Sequence, residues 1–162
     1  MTTVRIRPVT QDDVERLVEL AIAAWAPVFE SFERILGREI YSNIWPDWRA
    51  GQRAGVEMVC RDSDRYAVRV AECDGNAVGF VAYEVRAGEK VGETQLLAVH
   101  PDYQKRGIGT SLCVFALEEM AQRGMTMAKV ETGGDDAHAP ARRAYERAGY
   151  TALPVVRYFK EL

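Results

Sequence analysis

A chain of 162 residues, 48% hydrophobic and with a net charge of −3, can bury one core and has no basic field to attract nucleic acid. Cys60, Cys73 and Cys113 lack metal or redox spacing, and an odd number argues against a disulfide framework. No apolar run reaches the roughly 18 residues of a membrane span, and Arg5, Arg7 and Pro8 interrupt any targeting pattern, so the expectation is one cytoplasmic domain, 1–162, without a membrane partner.

Val4 and Ile6 alternate in a short strand, Thr3 to Arg7. Thr10 and Asp13 resemble a helix-capping pair, with Asp in place of the usual Glu. Val14, Leu17, Val18, Ala21, Ile22 and Trp25 then form one apolar helical face, which Pro27 is expected to end. A second helical pattern carries Phe29, Phe32, Leu36 and Ile40, and a third starts around Trp45 to Trp48. Most aromatic residues of this region are expected to fill core beneath a sheet.

From Tyr66 the period changes to two. Tyr66, Val68 and Val70 alternate, Asp74-Gly75-Asn76 makes a turn, and Val78, Phe80 and Ala82 continue as a hairpin. A turn at 87–90 leads to a third strand, Val91 to Val99, on which Glu93, Gln95, Leu97 and Val99 are expected to share a face. A helical pattern with Leu112, Phe115, Ala116 and Met120 runs to Gly124, with Cys113 on its apolar face and Glu118 and Glu119 as solvated surface. Thr126 to Glu131 reads as a strand, Ala139 to Arg147 as a helix, and Val155 to Phe159 as a closing strand. The fold class is mixed α/β (α+β), a mostly antiparallel central sheet flanked by helices in the order β-α-α-β-β-β-α-β-α-β.

The organising stretch lies between the third strand and its helix: Gln104-Lys105-Arg106-Gly107-Ile108-Gly109. Glycines let backbone N–H groups approach an anion closely, and the first helical turn adds unpaired donors and a positive dipole end. Lys105 and Arg106 add charge. A ligand bearing phosphate or pyrophosphate is implied. The dinucleotide fingerprint fails because position 112 is Leu, and the P-loop fails because no lysine follows Gly109.

What remains, Gln-x-x-Gly-x-Gly after a strand ending Val-His-Pro-Asp-Tyr, resembles the GNAT superfamily of acyl-CoA-dependent N-acetyltransferases. The resemblance implies acetyl-CoA as co-substrate, with Gln104, Lys105, Arg106, Gly107, Ile108, Gly109 and Thr110 on its pyrophosphate and Leu97, Ala98 and Val99 on its pantetheine arm. It implies direct transfer to a primary amine without a metal, by a monomer or homodimer. The segment Ala141 to Tyr150 is similar to the family's Asn-x-x-Ala-x-x-x-Tyr helix, with Ala141 and Tyr145 in place, the latter as general acid toward the departing thiolate. Its Asn position falls on His138, which leaves three readings: hydrogen bonding at the helix start, a cofactor contact, or a catalytic base. Glu93, eleven residues before Gln104, stands where family members with a catalytic glutamate keep it; it is the expected base or an anchor for the acceptor's ammonium group. Backbone N–H groups of Leu97 to Val99 are the oxyanion candidates, through a bulge. Trp25 and Phe29 are expected at the acceptor pocket. A non-catalytic acyl-CoA-binding or regulatory module is the alternative.

Overall fold

In a computed structural model, which describes residues 3–162, the chain forms β1 (Val4–Pro8), α1 (Val14–Leu36), α2 (Arg38–Ile44), α3 (Trp48–Arg61), β2 (Tyr66–Cys73), β3 (Asn76–Arg86), β4 (Val91–Val99), α4 (Ile108–Gln122), β5 (Met127–Val130) and α5 (Ala139–Arg147). The sheet order is β1-β2-β3-β4-β5, antiparallel until the parallel pairing of β4 with β5. This is the mixed, mostly antiparallel sheet expected from the alternating runs.

β3 lies at the centre and is buried on both faces from Ala77 to Glu84. On one side Leu17, Val18 and Ala21 of α1 and Val56 and Val59 of α3 pack against Val68, Val70 and Phe80. On the other, Ile108, Leu112, Ala116 and Met120 of α4 pack against Val78, Val81 and Tyr83. The start of α1 is fixed as the sequence suggests. The Thr10 N–H and Oγ1 donate to Asp13 Oδ2 at 2.8 and 2.9 Å, and Arg7 closes on the same carboxylate at 2.8 and 2.9 Å.

Pro27 does not end its helix. α1 runs through it to Leu36, and the break comes at Gly37, whose φ of 78° suits glycine. An interior proline costs about 3 kcal/mol in lost bonding and crowding. Here the apolar face continues across it, with Trp25 before and Phe29 after both packed inward, and that packing offsets the cost.

The closing strand is absent. Residues 151–162 carry no regular structure, Leu153, Val155, Val156 and Tyr158 are exposed, and β5 remains the edge of the sheet. The segment instead reaches α2, where the Phe159 ring lies 6.3 Å from Trp45 and Asn43 donates to Glu161 at 3.3 Å. Pro154 also brings no N–H to a ladder.

The surface reading of Glu119 is corrected as well. It accepts the Tyr83 hydroxyl at 2.5 Å and the Arg69 guanidinium at 2.7 Å. Burial pushes its carboxyl up, but these two bonds outweigh that and hold it below the usual range. A buried tyrosine hydroxyl needs an acceptor, and α4 supplies one.

Candidate functional site

A bulge in β4 sets the geometry of the site. Ala82 pairs with Leu96 but Tyr83 pairs with Thr94, which leaves Gln95 as the extra residue. The bulge reverses the alternation, so Glu93 shares its face with Leu96 and Ala98, while Leu97 and Val99 turn toward α4. The expected common face of Glu93, Gln95, Leu97 and Val99 is therefore overturned.

β5 pairs with β4 only from Val91 to Thr94, so beyond Thr94 that edge of β4 is open. His100 N–H bonds the Val78 carbonyl, toward β3. Leu97 and Val99 point the other way: their carbonyls take Trp25 Nε1 at 3.3 Å and Gln104 Nε2 at 3.0 Å. Strand alternation puts their N–H groups on that same open side. An extended ligand with amide groups can lie along this edge as a further strand would.

The glycine loop stands at the end of that edge. Lys105 and Gly107 have φ of 61° and 80°, and Gly107 caps α4 without any side chain serving its first turn. The N–H groups of Ile108, Gly109 and Thr110 thus await an external acceptor, in line with the anion-binding expectation. A Cβ on Gly107 would meet nothing within 4 Å, so the space above the loop is free. Gln104 ties the loop to β4, and Arg106 donates to the Asp102 carbonyl at 2.8 Å beside Tyr103. A groove of about 500 Å³ continues from Gly107 and Thr110 past Val114 and Phe115 to Arg147.

α5 leans on α4, with Ala144 3.8 Å from the position of a Cβ on Gly109. Ala141 and Tyr145 lie on this helix, and the Tyr145 ring is 5.8 Å from Tyr150. Burial raises the Tyr145 pKa, with Cys113 and Tyr150 adding to the effect, so the phenol keeps its proton. Burial pushes the Cys113 thiol up to about 12, which leaves it no nucleophile.

His138 sits before α5 with its ring 5.5 Å from Phe32. Its Nδ1 bonds Asp135 Oδ1, and the other oxygen of Asp135 takes the Ser31 hydroxyl at 2.5 Å. Burial alone would raise Asp135, but the bonds from Ser31 and His138 hold it below the usual range. Asp135, Ser31 and Arg142 were not singled out from sequence. The run Gly133-Gly134-Asp135-Asp136 just ahead of α5 is the sequence feature that marks this place.

Glu93 stands at the closed end of the cleft. Its carboxylate is bonded by Arg86 and lies 3.6 Å from Lys129, its register partner on β5. On the α1 side, Phe29 is 5% exposed and stacks on Trp48 at 4.3 Å, while Trp45 stacks on Phe32 at 4.8 Å. Part of the aromatic set therefore fills core, as expected, and the rest forms a wall of its own. A cavity of about 350 Å³ beside this wall is lined by Ala26, Glu30, Glu33, Tyr41, Trp45 and Trp48.

A sheet that parts between two parallel strands, above an uncapped helix start, has the form of a domain that seats an extended, phosphate-bearing ligand. The sequence model of the acetyltransferase (GNAT) family matches residues 23–150, and the chain belongs to that family. It is 28% identical over 160 residues to an uncharacterized N-acetyltransferase of Methanocaldococcus jannaschii, a match covering 96% of this chain and 64% of that protein. It is 28% identical over 151 residues to the S-(2-succino)cysteine N-acetyltransferase of Bacillus subtilis, covering 90% of this chain and 83% of that one. Among solved structures it is similar to the PaiA N-acetyltransferase of Thermoplasma acidophilum in complex with coenzyme A, with a TM-score of 0.72, 18% identity and coverage of 95% and 93%. The chain spans less than two thirds of the archaeal relative's length.

Proposed function

We propose that the protein is an N-acetyltransferase that moves the acetyl group of acetyl-CoA directly to a primary amine. One observation carries this: the uncapped first turn of α4, behind Gly107, lies at the end of the open edge of β4. A pyrophosphate on the Ile108 to Thr110 N–H groups would let the pantetheine amides run along Leu97 to Val99, with the thioester near Leu97. The family membership supports the same ligand. The Leu97 and Val99 N–H groups suit the oxygen on which negative charge develops. Tyr145, kept protonated by burial, suits the role of acid toward the thiolate.

The acceptor enters on the α1 side, past Trp25, while Phe29, expected there, is buried against Trp48. It is a small polar amine, a class that includes the S-(2-succino)cysteine for which the B. subtilis relative is named. Isothermal calorimetry with acetyl-CoA tests the cofactor half. The parent is expected to bind, and Gly107→Glu, which sets a carboxylate over the loop, is expected to abolish binding. Equal affinities in the two proteins would refute the loop assignment.

A further inference from the structure

A histidine that only starts a helix does not need what His138 has. Asp135 holds its Nδ1, Ser31 (2% exposed) holds Asp135, and Arg142 Nη1 pins the loop by donating to the Gly133 and Asp135 carbonyls at 2.7 Å each. A Cβ at position 133 would crowd the His138 ring and the Asp135 carboxylate, so the glycine leaves this pair its room. The serine donates to the aspartate and not to the histidine, so this is no nucleophile relay. With Nδ1 committed, Nε2 is the ring nitrogen left to take a proton, and it has no hydrogen-bond partner among the described residues.

Its position relative to the open edge matters as much. Trp25, Phe29 and Phe32 follow one another at i, i+4 and i+7, on one face of α1. Trp25 bonds the Leu97 carbonyl at one end, and Phe32 contacts His138 at the other. Seven helical residues span about 10 Å. His138 and the Leu97 edge of β4 thus stand at the two ends of one short aromatic stretch of α1. Glu93 is at the closed end of the cleft, with one carboxylate oxygen bonded by Arg86 and the other 3.6 Å from the Lys129 ammonium.

We propose that His138, held by Asp135 and Ser31, is the base that takes the proton of the acceptor's ammonium group; this rests on the acetyl-transfer reading above. An alkylamine with pKa near ~10 arrives as ammonium and has no lone pair until it loses one proton. That proton passes through water to His138 Nε2, since the span of about 10 Å rules out a direct hydrogen bond to a nitrogen at the thioester. The freed lone pair forms the N–C bond at the thioester carbonyl, and the C–S bond breaks. The departing thiolate takes the Tyr145 proton, and the second nitrogen proton returns to Tyr145 through water. The balance is one amide, one coenzyme A thiol and one proton, released when His138 gives it to solvent.

The test uses the full chain, acetyl-CoA and two acceptors of similar shape. Benzylamine is an ammonium ion at neutral pH, whereas the terminal nitrogen of benzhydrazide is already free base. His138→Gln is expected to slow benzylamine acetylation by on the order of 10²-fold or more, while benzhydrazide acetylation and acetyl-CoA affinity stay near the parent's. Asp135→Asn should show the same split at smaller amplitude, and added imidazole should restore benzylamine turnover to His138→Ala. Equal losses on both acceptors overturn the proposal. So does a parallel fall in acetyl-CoA affinity, which would make His138 a cofactor contact or a structural tie. So does the acceptor split appearing with Glu93→Gln and not with His138→Gln. A parent that binds acetyl-CoA yet acetylates no amine of a broad panel refutes the transferase reading first, and this one with it.

Discussion

Tyr145 is the residue on which the chemical step can be read most simply. Its phenol is held protonated by burial beside Cys113 and Tyr150, and it lies on the helix that leans over the loop. Tyr145→Phe keeps the ring and removes only the proton. The expected result is a fall in kcat on the order of 10²-fold or more with little change in acetyl-CoA affinity, measured where chemistry limits turnover. An unchanged kcat would reduce Tyr145 to packing. Gly107 separates two effects at one position. Its φ of 80° taxes any side chain, yet a Cβ meets open space. Gly107→Ala should therefore cost about 1 kcal/mol of stability by urea unfolding and keep much of the acetyl-CoA binding, where Gly107→Glu keeps none.

The ion pair that closes the start of α1 carries a pH dependence at the scale of the element. The Arg7 guanidinium, with burial opposing it and Thr10 assisting, holds the Asp13 carboxyl down at about 2, from an ordinary value near 3.8. A depressed folded value means stability that is present above the unfolded value and lost as pH falls through the folded one. The shift corresponds to roughly 2 kcal/mol, all of it present at neutral pH. Asp13→Asn is expected to lower unfolding stability by about that amount at pH 7, and the difference from the parent should shrink between about pH 4 and pH 2. A difference that stays constant down to pH 2 would contradict the assignment. Thr10 and Asp13 were legible in sequence because a cap is local, three residues apart. Arg7 was not, since no short-range capping pattern joins it to Asp13, and its second partner, Glu72, comes from β2. The family resemblance implied a bulge at Leu97 to Val99, but its place at Gln95 was hidden. Nothing in Thr94-Gln95-Leu96 differs from an unbroken strand, and the bulge decides which face Glu93 shares.

Over the whole molecule, what could be read in advance was what depends on periodicity and glycine placement. The sheet, α4 behind its loop, and the helix α5 follow from spacing within one segment, while Tyr145 was singled out by the family resemblance. What could not be read depends on which segments meet. The run Val155 to Phe159 has strand composition, but a strand needs an edge, and the chain carries Phe159 to Trp45 on α2. Ser31 and Asp135 are separated by most of the chain, so their bond, and with it the setting of His138, appears only in three dimensions. Glu93 matched a family spacing, yet its neighbours Arg86 and Lys129 come from two other strands. The central claim is that acetyl-CoA bound at Gly107 gives its acetyl group to an amine in the cleft beside β4. It is tested most directly by mass spectrometry of an amine mixture incubated with the protein and acetyl-CoA, with thiol release followed in parallel. Acetylated amine and free thiol should accumulate in equal amounts with the parent, and neither should form with Gly107→Glu. Tight binding of acetyl-CoA with no acetylated product from any amine would contradict the account.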